Sequence, residues 1–152
     1  MFSTFVEHKI KCMSSIRILI IVICCFCTLS SCKINQRKDK MKTGRWVYKD
    51  TFMGITSISK GRYKKDLEVG TWKDYIGKEL NSKRKYKDSI CYTTEYHKNG
   101  KIRAVGISKM ISDSATIHWF LSGEWKFYDN DGVLLGTKIY KKGEPILETY
   151  PE

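Results

Sequence analysis

A Gly-x-Trp motif recurs along the chain and constrains its fold more than any other feature. It occurs as Gly44-Arg45-Trp46, Gly70-Thr71-Trp72 and Gly123-Glu124-Trp125. The glycines are 26 and then 53 residues apart, so the second gap is about twice the first. Such spacing is typical of repeat proteins, in which each short unit cannot bury its apolar face alone and packs against its neighbours.

A tyrosine followed by lysine ends each well-formed unit. These tyrosines come 17, 14 and 15 residues after the tryptophans of their units. Alternating large aromatic residues at matching positions predict a continuous aromatic core along one face. The predicted repeat core is Trp46, Tyr63, Trp72, Tyr86, Trp125 and Tyr140.

The double gap predicts a degenerate unit at residues 95–107, EYHKNGKIRAVGI, which lacks the Gly-x-Trp start. Its Tyr96 and Gly100 match Tyr128 and Gly132 in the last unit. The following segment, ISDSATIHWFL, fits no unit. The number and register of the repeats therefore stay open at this point.

The local pattern predicts β-structure throughout. Residues 124–127, Glu-Trp-Lys-Phe, alternate polar and apolar side chains as a half-buried strand does, and no apolar period of 3.6 residues is found after residue 43. Asn99-Gly100 predicts a two-residue type I′ hairpin turn, and residues 129–132 and 141–144 predict two more turns. The predicted fold class is all-β, an elongated antiparallel sheet of successive β-hairpins.

This pattern resembles MORN-type repeats in their divergent bacterial form, called YwqK-like or antitoxin-like. The resemblance implies an elongated sheet of hairpins that binds proteins or membranes and has no catalytic activity. It extends over about residues 44–148. The segments that carry it are SGEWKFYDNDG at 122–132, TKIYKKGE at 137–144, VGTWKDYIGKE at 69–79 and TEYHKNGKIRAVG at 94–106.

The N-terminus has the features of a secretory signal. Residues 18–29, ILIIVICCFCTL, carry no charge, and Lys9, Lys11 and Arg17 precede them. Twelve apolar residues match the length of a signal-peptide core and are too few for a spanning helix of about 20. A compact signal also begins at Met13, so either Met1 or Met13 is the start of translation.

The apolar run ends in Leu29-Ser30-Ser31-Cys32, which resembles the bacterial lipobox. The resemblance implies cleavage before Cys32, with Leu29, Ser30 and Ser31 recognised by the processing peptidase. It also implies a diacylglycerol on the Cys32 thiol, with further acylation of the new amino group, and no other cofactor. Two or three acyl chains anchor a protein stably where one chain is marginal. An uncleaved N-terminal anchor with an incidental cysteine is the alternative.

Cleavage predicts three regions: a signal peptide at 1–31, a lipidated, flexible basic tether at 32–43 and a repeat domain at 44–148. The tether, KINQRKDKMKT after Cys32, has too few apolar residues to offset the entropy of ordering it. Four of the six cysteines leave with the signal. Cys91 then has no intrachain partner and is predicted to be a buried strand thiol.

The net charge of +12 favours an anionic partner. A signal peptide removes cytosolic nucleic acid from the expected partners and leaves membrane lipid, an acidic envelope polymer or an envelope protein. Lys33 after the lipid site is compatible with delivery to an outer membrane. The solvated side of a one-faced sheet is the alternative explanation of the basic residues. The candidate binding surface is Lys64, Lys83, Arg84, Lys98, Lys101, Arg103, Lys141 and Lys142.

No catalytic or metal-binding constellation is visible in the sequence. His97 and His118 are 21 residues apart on separate predicted hairpins, and we expect His97 to be a solvated turn residue. The segment from Asp129 resembles the start of a calcium loop, but Tyr140 stands where the loop needs a bidentate Glu. We therefore predict a non-enzymatic envelope lipoprotein that binds a protein or an anionic surface. An immunity or antitoxin-like protein that neutralises a toxin is the alternative.

Overall fold

A computed structural model describes residues 33–112 and 116–152, so the predicted signal peptide and Cys32 lie outside the described residues. Within the described part of the chain, the regular secondary structure is entirely β-strand. The ten strands are β1 (Gln36–Lys38), β2 (Met41–Phe52), β3 (Ile55–Lys64), β4 (Leu67–Ile76), β5 (Glu79–Lys87), β6 (Ile90–Tyr96), β7 (Ile102–Ser112), β8 (Ile117–Tyr128), β9 (Leu134–Lys141) and β10 (Glu144–Thr149).

The strands form one antiparallel sheet whose spatial order is the same as the chain order. Each strand pairs with the next through a hairpin, from β1 with β2 to β9 with β10. The predicted fold class, an all-β antiparallel sheet of successive hairpins, is confirmed.

The pairing register explains why glycine and tyrosine recur together. Gly44 lies opposite Tyr63, Gly70 opposite Tyr86, and Gly123 opposite Tyr140. All three glycines have positive φ, between 66° and 72°, which residues with a β-carbon adopt only at a cost. Each repeat unit is therefore defined by a glycine directly across from the tyrosine of the next strand.

The Gly-x-Trp motif forms a bulge over a single glycine of the preceding strand. In the pairing of β3 with β4, residues 70–72 lie opposite Gly61, and in that of β7 with β8, residues 123–125 lie opposite Gly106. A β-carbon on either glycine would lie within 2.2 Å of a tryptophan ring carbon. The indole rings therefore pack on bare backbone.

The indole N–H of each Gly-x-Trp motif donates to a carbonyl of the preceding strand. Trp72 donates to Arg62 at 3.0 Å and Trp125 donates to Ile107 at 2.9 Å. Trp46 donates to Gln36 at 3.2 Å and also to Thr43. The three tryptophans thus occupy equivalent positions, which satisfies their polar atom on burial.

The core lies along one face and falls into two groups. Trp46, Trp72, Tyr86 and Cys91 are buried in one cluster, with Tyr63 and Trp119 packed against it. Tyr63 contacts Trp46 at a ring-centroid distance of 5.6 Å and Trp72 at 5.0 Å. Buried Trp125 contacts Phe127 and half-buried Tyr140 in the second group. The prediction that Cys91 is a buried strand thiol is confirmed.

The degenerate unit matches the last unit at its turn. His97 N–H donates to Lys101 O and Gly100 N–H donates to His97 O, and the turn from Asp129 to Val133 has the same two bonds. The two turns lie side by side, because His97 Nε2 is 2.8 Å from Tyr128 O. His97 is therefore half-buried and bonded between units, and the prediction that it is a solvated turn residue is wrong.

The predicted type I′ turn at Asn99-Gly100 is also wrong. Of the two residues only Gly100 has positive φ, and the register shifts between Glu95 and Tyr96. The loop is longer than two residues because the Asn99 side chain is used elsewhere: it accepts from Lys101 N–H and donates to Asn130 O of the neighbouring turn. Positive φ at both central residues occurs instead at four two-residue turns of the described sheet, Asp39-Lys40, Met53-Gly54, Lys65-Asp66 and Lys142-Gly143.

The sheet begins earlier than the predicted boundary at Gly44. Residues 36–38 and 41–43, assigned to a flexible tether, pair as β1 and the start of β2. The cations of this segment pack on aromatic rings, with the Lys42 ammonium 4.8 Å from the Tyr63 centroid and Arg37 above Trp46. The methylene stems and charges of these side chains gain contacts with the rings, which stabilise the segment although it has few apolar residues.

The described residues of the segment that fits no repeat unit lie at the end of β7 and the start of β8, which they lengthen as a paired extension. Its Trp119 lies 5.2 Å from Tyr86 of β5. Because three strand spacings separate β5 from β8, about 14 Å in a flat sheet, this extension curls over the core.

Candidate anion-binding face

Side chains alternate between the two faces of the sheet, and the core residues define one of them. The aromatic face carries Trp46, Tyr63, Trp72 and Tyr86. The opposite face of β2–β5, named here the basic face, carries an exposed cluster of cations. These are Arg45, Lys60, Arg62, Lys73, Lys83 and Lys85.

Three lysines of the basic face form one row across the sheet. Lys60 of β3 lies directly opposite Lys73 of β4, and Lys73 lies directly opposite Lys83 of β5. Like charges in directly opposed positions destabilise a sheet. Two charges 4 Å apart in water repel by about 1 kcal/mol, so the row has a modest electrostatic cost that a bound anion would remove.

Two arginines lie beside the lysine row. Arg45 of β2 is directly opposite Arg62 of β3. A shallow depression of about 280 Å³ lies among these side chains and is also lined by Lys60, Thr71 and Lys73. The Lys60 ammonium stands 4.5 Å from the ring centroid of Tyr75, which holds that cation at the surface.

The carboxylates of Asp74 and Glu68, on the same strands, lie on the aromatic face. Asp74 accepts a hydrogen bond from Ser59 at 2.6 Å, one from Ser82 at 2.5 Å and two from Arg84 at 3.0 and 3.1 Å. Arg84 also lies 3.8 Å from Glu68 and donates to the Tyr86 hydroxyl. Asp74 and Glu68 therefore pair with Arg84 on the aromatic face and do not neutralise the lysine row on the other face.

The protonation states of this network follow from the contacts. Burial of the Asp74 carboxyl opposes its ionisation, but hydrogen bonds from Ser59, Ser82 and Arg84 outweigh burial and lower its pKa. Burial raises the pKa of Tyr86 and the pKa of the Cys91 thiol. Asp74 is therefore an anion, while the thiol is kept in its unreactive neutral form.

The predicted binding residues do not form one surface. Lys83 lies on the basic face, whereas its neighbour Arg84 points to the aromatic face and is half-buried. Lys64 is exposed at the end of β3, and Lys141 and Lys142 are exposed at the β9–β10 hairpin.

The remaining three predicted residues lie at or beside the β6–β7 turn. Lys98 is exposed there. Lys101 donates to Asp131 O at 3.0 Å and Arg103 pairs with Glu95 at 3.0 Å. Lys101 and Arg103 thus connect parts of the sheet to each other.

Sequence reasoning missed several members of the basic face, namely Arg45, Lys60, Arg62 and Lys73. A usable signal was present, because Lys73 follows core Trp72 and Arg62 precedes core Tyr63. In a strand, the immediate neighbour of a core residue points to the other face. Adjacency to a predicted core residue would therefore have marked Arg45, Arg62 and Lys73, but not Lys60.

The chemistry that this arrangement offers is multivalent anion binding. In residues 33–112 and 116–152, no group of three or more His, Cys, Asp or Glu side chains could hold a metal ion. His118 Nε2 lies 2.9 Å from the Thr116 hydroxyl, away from His97 and its turn. The described residues also include no helix of the length and hydropathy needed to cross a bilayer.

Comparison with known proteins assigns no family. No family model matches the sequence, and no curated protein matches it. Among solved structures, the chain shows similarity to one chain of a structure titled "Crystal structure of GtfA/B complex", at 11% sequence identity and a TM-score of 0.25. The match covers 69% of this chain and 20% of that chain.

Proposed function

We propose that the protein is a lipid-anchored lipoprotein of the bacterial cell envelope whose hairpin sheet is a non-enzymatic binding module. In this proposal its basic face binds an anionic envelope surface through phosphate or carboxylate groups. The observation that carries the proposal is the row Lys60, Lys73 and Lys83, placed side by side on three strands and exposed.

The spacing of the row suits a polymer with regularly spaced charges. Neighbouring strands are about 4.8 Å apart, so an anionic chain lying across the strands meets one lysine at each strand. Arg62 and Lys85, each two residues further along β3 and β5, widen the cationic surface on one side of the row. Lysine is a flexible point charge, which favours a polyanion over one shaped small molecule.

Membrane anchoring rests on Leu29-Ser30-Ser31-Cys32 after the apolar run. A lipid at Cys32 would hold the basic face near the envelope and raise its effective concentration for a second contact there. Replacing Cys32 with Ala should abolish acyl labelling and partitioning into a detergent phase. Unchanged partitioning of that variant would contradict the anchor.

The proposed binding is tested by titrating the full chain with inorganic polyphosphate as a soluble polyanion. We expect the Lys60→Gln/Lys73→Gln/Lys83→Gln variant to bind at least about tenfold more weakly, a loss of about 1.4 kcal/mol. Its affinity should also depend less steeply on salt, because fewer counterions are released on binding.

The matched control removes the same charge from the turns, in Lys98→Gln/Lys141→Gln/Lys142→Gln. These three lysines are exposed and lie outside the basic face. The control should bind polyphosphate almost as tightly as the wild type. Equal losses in both variants would show that net charge, and not the lysine row, determines binding.

A further inference from the structure

The first described residues are held firmly against β2. Asn35 N–H donates to Arg45 O at 2.8 Å. The Asn35 side chain also accepts from Val47 N–H at 2.7 Å and donates to Val47 O at 3.0 Å. Asn35, with φ of 57°, precedes Gln36, the acceptor of the Trp46 indole, as Gly61 and Gly106 precede the acceptors of the other two indoles. The sheet is therefore bonded to the chain at Asn35, which is three residues after Cys32 in the sequence.

This short connection limits where the domain can be relative to a lipid on Cys32. Three residues of fully extended chain span at most about 11 Å. The predicted tether of twelve residues would have allowed about 40 Å. The β1–β2 edge of the sheet must then lie close to any bilayer that holds the Cys32 lipid.

The charge of this edge suits an anionic bilayer. Residues 33–52 contain seven Lys or Arg and two Asp. The opposite edge, residues 143–152, contains three Glu and no Lys or Arg. Basic residues near a membrane are attracted to anionic headgroups, so the two edges of the sheet are not equivalent toward a membrane.

The far end of β2 carries exposed apolar side chains. In the β2–β3 hairpin, Phe52 is 72% exposed, Met53 85% and Ile55 60%. Met53-Gly54 is the two-residue turn, with φ of 48° and 78°. Large apolar side chains at an exposed tip are costly in water and suit insertion among lipid headgroups and upper acyl chains.

We infer that the β1–β2 edge is a membrane-docking edge, which lies on the same bilayer that holds the Cys32 lipid. Phe52, Met53 and Ile55 insert at one end of β2. The basic β1–β2 hairpin contacts anionic headgroups at the other end, about 36 Å away along the strand. Away from this edge, the aromatic and basic faces stay in the aqueous compartment. This inference rests on the lipid anchor of the proposed function.

The test uses the full chain, extracted from membranes with any lipid it carries and reconstituted in vesicles of phosphatidylethanolamine and phosphatidylglycerol. Phe52 is replaced by the photo-crosslinking residue p-benzoylphenylalanine. The control carries the same residue at Tyr150, which is 70% exposed beyond the acidic edge. Mass spectrometry of one sample then gives both the lipid adducts and the lipidation of the Cys32 peptide.

We expect lipid adducts from position 52 at a yield at least about tenfold above position 150, because only the former enters the bilayer. A lipidated Cys32 with equal or negligible yields at both positions would overturn the docking edge alone. Adducts from position 52 with an unmodified Cys32 would support the edge and overturn the anchor. If position 52 gives no lipid adducts and Cys32 carries no lipid, both the docking edge and the lipid anchor are overturned.

A second variant separates insertion from charge attraction. Met53→Ser removes apolar surface from a side chain that is 85% exposed, so the fold should be unaffected. With an intact Cys32 lipid, this variant should give at least about threefold fewer adducts from position 52, because the tip inserts less deeply. An unchanged yield would show that the tip does not insert.

Discussion

The Asp74 carboxylate connects three neighbouring strands. Its hydrogen-bond donors come from Ser59 in β3 and from Ser82 and Arg84 in β5. A charge in this position is stabilising because every bond to it is charge-assisted and its side chain is only 24% exposed. On the same face as the aromatic core, Asp74 thus links β3, β4 and β5 through hydrogen bonds.

Replacing Asp74 with Asn should lower the free energy of unfolding by about 1–3 kcal/mol at pH 7, because charge-assisted bonds are lost. The folded-state pKa of Asp74 lies below its ordinary 3.8, so its contribution is present above that pH and is lost as pH falls through the folded-state value. Urea unfolding of wild type and Asp74→Asn from pH 7 to pH 2 should give a difference that shrinks below pH 3.8. A difference that is constant with pH would contradict this role.

Gly61 leaves room for the Trp72 ring. A β-carbon there would lie 2.1 Å from a ring carbon, so Gly61→Ala should cost about 1–3 kcal/mol by overpacking. Ser57→Ala, on the same face of the same strand and exposed, is the control and should be nearly neutral. In a double-mutant cycle, Trp72→Leu should relieve much of the cost, and additive effects would contradict the ring contact.

The β7–β8 hairpin covers part of the aromatic core, which includes Tyr86 and Cys91. Trp119 covers Tyr86, and Cys91 lies 3% exposed in the same cluster. Trp119→Ala should lower the unfolding free energy by about 2–4 kcal/mol and speed the reaction of native Cys91 with a thiol reagent. Phe120→Ala, on the other face of β8, should leave thiol reactivity near that of the wild type. Equal reactivity in all three proteins would contradict the covering role.

Most strands of the fold were predictable because each well-formed repeat contains a Gly-x-Trp motif and a later tyrosine at similar spacing. The Gly-x-Trp spacing indicated the units, and the structure places each motif glycine opposite a tyrosine. The errors came from interactions beyond the local pattern. The segment at 36–43 is ordered because Lys42 packs on Trp46 and Tyr63, and the Asn99 turn is longer because its side chain bonds the neighbouring hairpin.

The basic face was less predictable because membership depends on which way a side chain points. Lys83, Arg84 and Lys85 are consecutive, yet only the first and third are on the basic face. The bulges of β4 opposite Gly61 and of β8 opposite Gly106 interrupt the simple alternation, so the face of a residue cannot be found by counting alternate positions from a core residue. Lys60 and Lys73 become a pair only when the register between β3 and β4 is known.

For the whole molecule, two kinds of surface are distinguished, the basic face of β2–β5 and the adjoining β1–β2 edge, and they share Arg45. The basic face is proposed to bind an anionic partner, and the β1–β2 edge is inferred to contact the bilayer. The acidic residues at 143–152 oppose docking of the other edge on an anionic bilayer, which gives the sheet one preferred orientation. Pro145 in β10 also removes a backbone donor from that outer strand, which discourages pairing with another sheet.

The most direct test of the proposed function is photo-crosslinking from the basic face in intact cells. A photo-crosslinking residue replaces Lys73 on the basic face or, as the control, exposed Ser57 on the aromatic face. Mass spectrometry of the adducts is expected to show phosphate- or carboxylate-bearing envelope material attached at position 73 and little at position 57. Adducts at equal yield from both positions, or anionic adducts from position 57 alone, would contradict a binding module that uses its basic face.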